Sequence, residues 1–204
     1  MTGRDENMMA QSYRTSDFDQ AAWFAAVLIA LFALIGEPFW AAGAGGVDTT
    51  VCTATVVLAA GLIALSIADV KTCKLPDSLT LPLLACGLLV AWLISLPDWQ
   101  WHVLGALSGY AVLSLIATVY RWYRGVDGLG LGDAKLLAAG GAWLGVAALP
   151  NVLLLACVLA AGQVLLEQRI NDRFDASVPI PFGPALSLGI WLVWLYGPLG
   201  ALQH

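Results

Sequence analysis

The sequence predicts an all-α, polytopic membrane helix bundle of about seven transmembrane segments. Three observations lead there. Of the 204 residues, 60% are hydrophobic and only 11% are charged. With a mean hydropathy of +0.81, the chain has too little polar surface for a domain dissolved in water. Long apolar runs alternate with short polar loops, whereas a membrane β-barrel would show alternating segments of about ten residues. All 9 Lys+Arg fall on one side of that alternation. The net charge of −5 is less informative than the places where the charges sit.

In order, residues 1–20 form a polar N-terminal segment, and 21–204 form the integral membrane domain. The first apolar segment, Ala21 to about Trp40, closes at Glu37-Pro38. Small residues follow it, but a retained helix is expected rather than a cleaved signal peptide. The second, Val51–Ala68, runs into Asp69-Val70-Lys71-Thr72-Cys73-Lys74-Leu75-Pro76-Asp77. The third covers Ser78–Leu96, with Pro82 in its first turns, where proline is tolerated. Pro97 to His102 reads as a short loop whose tryptophans suit the interfacial belt. The fourth segment, Val103–Tyr120, ends in Arg121-Trp122-Tyr123-Arg124. The fifth covers Ala134–Leu149, Pro150-Asn151 reads as a tight turn, and the sixth runs to Leu166. A polar loop, Glu167–Val178, leads to Pro179-Ile180-Pro181-Phe182-Gly183-Pro184 and a seventh segment, Ala185–Leu202.

By the positive-inside rule, the side carrying Arg4, Arg14, Lys71, Lys74, Arg121, Arg124, Lys135, Arg169 and Arg173 is cytoplasmic. The N-terminus is then expected inside and the C-terminus outside, with Asp69 and Asp133 near the cytoplasmic surface. Cys52, Cys73, Cys86 and Cys157 form no CxxC pair and no Cys/His cluster of zinc spacing. They read as small apolar fillers, and His102 and His204 are too isolated to be metal ligands. No metal and no cofactor are expected.

Chemistry is concentrated in Gly128-Leu129-Gly130-Leu131-Gly132-Asp133-Ala134-Lys135. An ionisable group at a membrane boundary is costly unless it is solvated, paired or used. Asp69 ends one apolar segment and Asp133 begins another, so two helices can bring two carboxylates to one depth. Close carboxylates share a proton, since both cannot ionise cheaply. One then draws a proton from water while the other polarises a peptide carbonyl. Gly128, Gly130 and Gly132 remove side chains where an extended peptide can approach. A nucleotide-loop reading fails, because no strand precedes the glycines and no GK[ST] follows. From spacing alone the acids remain equally readable as ordinary interfacial carboxylates.

Gly130-Leu131-Gly132-Asp133-Ala134-Lys135, continuing to Gly141-Ala142-Trp143-Leu144-Gly145, resembles the GxGDxK region of bacterial type IV prepilin peptidases. Asp69 with Lys71, Leu75-Pro76-Asp77 and Leu79-Thr80-Leu81-Pro82 resembles that family's first aspartate motif, and Pro181-Phe182-Gly183-Pro184 is similar to a third element. The resemblance implies a GxGD-type aspartic endopeptidase of the bacterial inner membrane with Asp69 and Asp133 as its pair. Its partners would be prepilins or type II secretion pseudopilins, cut on the cytoplasmic side after a glycine, together with membrane lipid. No nucleic acid is expected. Many members carry an N-terminal region with paired CxxC motifs associated with methylation of the new N-terminus. That pattern does not occur here, so peptidase activity is expected without self-contained methylation, zinc or S-adenosylmethionine. The alternatives are a peptidase for Flp-type pilins and a proton-coupled membrane transporter.

The remaining residues take supporting roles. Asp133 lies near the N-terminus of its own helix and Asp69 near the C-terminus of its own, so the local dipoles assign Asp133 as the first base and Asp69 as the proton holder. Lys135 either tunes the pair or meets the interface. Lys71, Pro181 and Gly183 shape the site, and Asp77 reads as a helix cap. Glu167 and Arg169 face solvent or a basic leader. Gly141 and Gly145 form a GxxxG pattern for close helix packing, and the tryptophans are read mostly as interface anchors.

Overall fold

A computed structural model of the protein describes residues 49–72, 75–94, 98–125, 130–170 and 182–197. The expected first segment, the polar N-terminus, Cys73, Lys74, Gly128, Pro181, the side chains of Glu167 and Arg169, and the last residues lie outside this description. All regular structure among the described residues is helical. The helices are α1 (Thr49–Thr72), α2 (Asp77–Ile94), α3 (Trp99–Arg124), α4 (Leu131–Leu144), a 3-10 turn (Val146–Ala148), α5 (Leu149–Ile170) and α6 (Gly183–Tyr196).

Among the described residues, three stretches are long and apolar enough to cross a membrane: Thr50–Lys71, Trp99–Tyr123 and Val146–Leu165. Asp77–Leu93 and Gly183–Tyr196 are shorter apolar helices. The all-helical membrane fold is therefore as the sequence predicts, but the count of about seven spans is not reached among the described residues. Several boundaries also move. Trp99-Gln100-Trp101-His102 form the first turn of α3 rather than a loop, with Trp101 N–H bonded to the Asp98 carbonyl at 3.0 Å. The fifth segment stops early because Gly145 adopts φ +81 and its N–H closes on the Gly141 carbonyl. The turn to α5 is thus Gly145–Ala148, and Pro150 sits in the first turn of α5, where its missing N–H costs nothing. Pro82 instead lies inside α2, beyond that tolerant first turn.

Helix α4 is the centre of the bundle. Ten of its 14 residues, Asp133, Ala134, Leu136–Ala142 and Trp143, are buried, as expected of a helix surrounded on most sides. It packs against α2, α3 and α6, while α6 also meets α1 and α5. Small residues make this possible. A Cβ on Gly141 would stand 2.2 Å from the Gly105 carbonyl oxygen, and one on Gly109 would stand 2.8 Å from that of Leu137. Gly141 thus packs closely as the sequence reading expects, against Gly105 of α3, whereas Gly145 does not: nothing lies nearer than 3.9 Å to its Cβ position, and it ends α4 instead.

Trp92, Trp99, Trp101 and Trp122 are exposed, as interface anchors would be, but Trp143 and Trp194 instead hold the bundle together. Trp143 of α4 fills the space beside Gly87, and its indole N–H donates to the Leu83 carbonyl at 2.9 Å. Trp194 of α6 meets its ring edge to face, with centroids 5.7 Å apart, and donates to Thr55 Oγ1 of α1 at 3.1 Å. His102 Nδ1 donates to Ala142 O at 3.0 Å, satisfying a carbonyl of the last turn of α4. The outward surface is apolar. Leu107 and Leu115 of α3 are each 63% exposed and Val158 of α5 is 62% exposed. Such faces suit lipid, where helices satisfy their own backbone groups. Cys157 is also exposed, whereas Cys52 and Cys86 are half-buried.

Candidate functional site

Asp69 occupies the last turns of α1 and Asp133 the first turn of α4. Both are buried, 5% and 7% exposed respectively. They line one pocket of about 260 Å³ together with Leu75, Gly130, Leu131, Gly132 and Lys135. The pairing that spacing alone left open is therefore realised in the fold.

Each carboxylate is held by the backbone of a glycine at a helix start. Gly183 N–H donates to Asp69 Oδ2 at 2.9 Å in a buried contact. Gly130 has extended backbone (φ −73, ψ 138) at the N-cap of α4, and Asp133 N–H bonds its carbonyl at 3.1 Å. The backbone of Gly130 also bonds the Asp133 carboxyl and so favours its ionised form, but larger effects oppose it. Burial first, and then the negative charge of Asp69, push the Asp133 carboxyl up to about 7 from an ordinary value of 3.8. Asp133 lies ahead of the apolar run and outside the three membrane-length stretches.

Tertiary packing reverses the dipole that the chain alone assigns to Asp69. Its own helix ends there, but the N-terminus of α6 is brought against the carboxylate. The carboxylate thus meets a backbone donor, the opposite of the carbonyls that the end of α1 presents.

Other predicted residues separate into those inside the pocket and those beside it. Gly130 and Gly132 line it, and a Cβ on Gly132 would stand 2.9 Å from the Leu75 Cβ, so this glycine allows Leu75 to close one wall. Gly183 touches Asp69 from behind. Lys71 is exposed in the last turn of α1 and is not among the pocket-lining residues. Lys135 lines the pocket, yet its ammonium pairs with Asp77 Oδ1 and ties α4 to α2. Asp77 is correspondingly not a helix cap. Pro76 carries the carbonyl that accepts from Leu79 and Thr80, and Asp77 takes the first helical position. With side chains 32% and 58% exposed, this pair is expected to show a coupling below about 1 kcal/mol in a double-mutant cycle read by thermal unfolding. A coupling above about 2 kcal/mol would mark it as a desolvated structural pair instead.

Sequence reasoning missed Leu75 as a wall of the site. The available signal was a leucine within the otherwise largely polar connection Lys71–Asp77; it is 9% exposed. Among the described residues, no group of three or more His, Cys, Asp or Glu gathers where it could hold a metal ion.

Comparison with known proteins gives the family. The type IV leader peptidase family matches residues 56–165, which include both aspartates. The chain is 47% identical over 133 residues to a prepilin leader peptidase/N-methyltransferase of Burkholderia pseudomallei (strain 1026b), covering 65% of this chain and 42% of that protein. A protein of the same name from Aeromonas hydrophila is 44% identical over 151 residues, covering 71% of this chain and 49% of its own. Another from Neisseria gonorrhoeae is 38% identical over 139 residues, covering 68% and 47%. The chain thus spans about half the length of these relatives. No solved structure is significantly similar to it. With a family match across more than half its length and both motif aspartates gathered in one pocket, the chain belongs to the type IV leader peptidase family.

Proposed function

We propose that the protein is an aspartic endopeptidase that removes the leader from type IV prepilins or type II secretion pseudopilins. The observation that carries this reading is the meeting of Asp69 and Asp133 in one pocket of a leader-peptidase chain. Such a pair hydrolyses a peptide without a covalent intermediate. Asp69, whose Oδ2 already accepts an amide hydrogen bond, acts as the base. Asp133 begins with the proton. Water gives a proton to Asp69 as its oxygen bonds the peptide carbonyl carbon, and the Asp133 proton passes to the carbonyl oxygen. The resulting diol returns one hydroxyl proton to Asp133 while the C–N bond breaks, and Asp69 protonates the leaving nitrogen. This is the reverse of the division that the local helix dipoles assign.

The extended backbone at Gly130, where a Cβ would meet nothing nearer than Asp133 Oδ2 at 3.6 Å, leaves room for an extended substrate beside the two carboxylates. That room suits a cut after glycine ahead of a hydrophobic helix. The charge distribution supports a bacterial inner-membrane protein with the N-terminus in the cytoplasm, the C-terminus in the periplasm and cleavage at the cytoplasmic face.

The test is incubation of purified protein with a type IV prepilin in detergent or lipid, followed by mass spectrometry. One new N-terminus directly after a glycine is the expected product. Cutting of Flp-type pilins with no cutting of type IV prepilins would move the substrate class. If neither is cut, the peptidase reading fails.

The raised Asp133 carboxyl sets a pH dependence. Cleavage is expected to decline as pH rises through about 7, because the proton that Asp133 must donate is lost. Stability follows the same sign. An unfolded Asp ionises near 3.8 whereas the folded one ionises near 7. Its contribution is therefore complete below 3.8, lost progressively up to about 7, and flat beyond. Unfolding midpoints of wild type and Asp133→Asn across that range check this, since the asparagine variant should lack that part of the slope.

A further inference from the structure

We propose that the N-terminus of α6 is the positioning device for Asp69, with the Gly183 amide holding one carboxylate oxygen so that the other faces the pocket. This rests on the peptidase reading above for its catalytic consequence, though not for the contact itself. Gly183 is a positioning residue; it lines no part of the pocket and acts through Asp69.

The first observation is that Gly183 is not needed for backbone conformation. Positive φ among the described glycines occurs at Gly125, Gly145 and Gly197, not at Gly183. What requires glycine is proximity. A Cβ there would stand 2.5 Å from Asp69 Oδ2, 2.9 Å from Cγ and 3.1 Å from its Cβ. Any side chain would push the carboxylate away from the amide and shift it in the pocket.

The second observation is how α6 begins. Phe182 is at the N-cap and supplies no side-chain hydrogen bond, and Pro184 has no amide to offer. The Leu186 amide is already bonded to the Phe182 carbonyl. The amide of Gly183, the first of the helix, reaches outward and meets a carboxylate from 114 residues away. Asp69 therefore caps α6 across the fold, satisfying an amide that the helix itself cannot bond.

The third observation is that α6 is fixed to the helix that carries the other aspartate. Leu186 and Ile190 are fully buried, and Ile190 lies against Gly140 of α4, where a Cβ would be 2.8 Å from its Cδ1. One rigid helix thus contacts Asp69 at its first residue and the Asp133 helix two turns later. That arrangement sets the spacing of the two carboxylates through backbone and packing rather than through a flexible loop.

The test compares Asp69→Asn, Asp69→Ala and Gly183→Ala with wild type. Asparagine retains an oxygen that accepts from Gly183, whereas alanine leaves that amide buried without a partner. Asp69→Asn is therefore expected to unfold near the wild-type temperature and Asp69→Ala several degrees lower. Equal unfolding temperatures for these two variants would overturn the contact, whether or not the protein cleaves prepilin. Gly183→Ala is expected to lower kcat by about 10²-fold, with KM changed by less than about threefold, because the substrate still binds while the base is misaligned. Wild-type kcat in a folded Gly183→Ala would overturn the positioning role, as would an effect confined to KM. If Gly183→Ala does not fold, the unfolding comparison of the two Asp69 variants decides alone. If wild type cleaves nothing, the peptidase reading fails while that comparison still reports on the cap.

Discussion

Asparagine at Asp69 or at Asp133 is expected to reduce leader cleavage by at least about 10³-fold, with each variant folding and inserting normally. An amide occupies the same volume as a carboxyl but can neither take a proton from water nor deliver one to a carbonyl oxygen. The two losses are different in kind. In Asp69→Asn the side-chain oxygen still accepts from the Gly183 amide, so the geometry is retained while the base is gone. In Asp133→Asn the proton donor is gone, and nothing replaces it to take a proton back from the diol. Combining the substitutions should add little to either one, because the residues act as a unit. Cleavage rates on a prepilin, measured beside unfolding temperatures, check the expectation. Activity within about tenfold of wild type in either folded variant would remove that aspartate from the mechanism.

The second large effect is expected far from the chemistry, where α3 crosses α4. Alanine at Gly141 should lower stability by about 3 kcal/mol or more and sharply reduce the yield of folded protein. Its Cβ would stand 2.2 Å from the Gly105 carbonyl oxygen and 2.4 Å from the carbonyl carbon. Those are backbone atoms, which cannot rotate aside as a side-chain tip can, so the helices must separate. Gly105→Ala meets the same crossing from the other side, 2.5 Å from the Gly141 carbonyl oxygen. The pair of substitutions should therefore be less than additive. Gly162→Ala is the matched comparison, since nothing lies within 4 Å of its Cβ position. It should be neutral or stabilising by up to about 1 kcal/mol. Thermal unfolding in detergent distinguishes these outcomes, and an unchanged midpoint for Gly141→Ala would mean the crossing is looser than described.

Much of the membrane architecture could be read along the chain because it depends on local composition. Apolar length, loop polarity and cation placement are properties of consecutive residues, and they led to a helical membrane protein and to the two aspartates at segment ends. Boundaries were less legible where a single backbone angle decides them. The turn between α4 and α5 falls at Gly145 rather than Pro150, because a left-handed residue ends a helix whereas a first-turn proline is accommodated by the next one. The tryptophans show a similar limit. Hydropathy cannot separate Trp122, 87% exposed, from Trp143, 3% exposed, since the difference is which neighbour presents a glycine.

The sequence by itself determined that this protein is an all-helical membrane chain of the leader-peptidase family with Asp69 and Asp133 at the ends of apolar segments. The tertiary structure alone decided what surrounds them. Asp69 ends its own helix, and reading along the chain assigns it a carbonyl environment. The fold instead brings it the first amide of α6, from 114 residues away. Lys135 is next but one to Asp133, yet it pairs with Asp77. Both differences have one physical reason. Electrostatic environment depends on distance through space, and packing of small residues between helices places remote backbone groups nearer than chain neighbours.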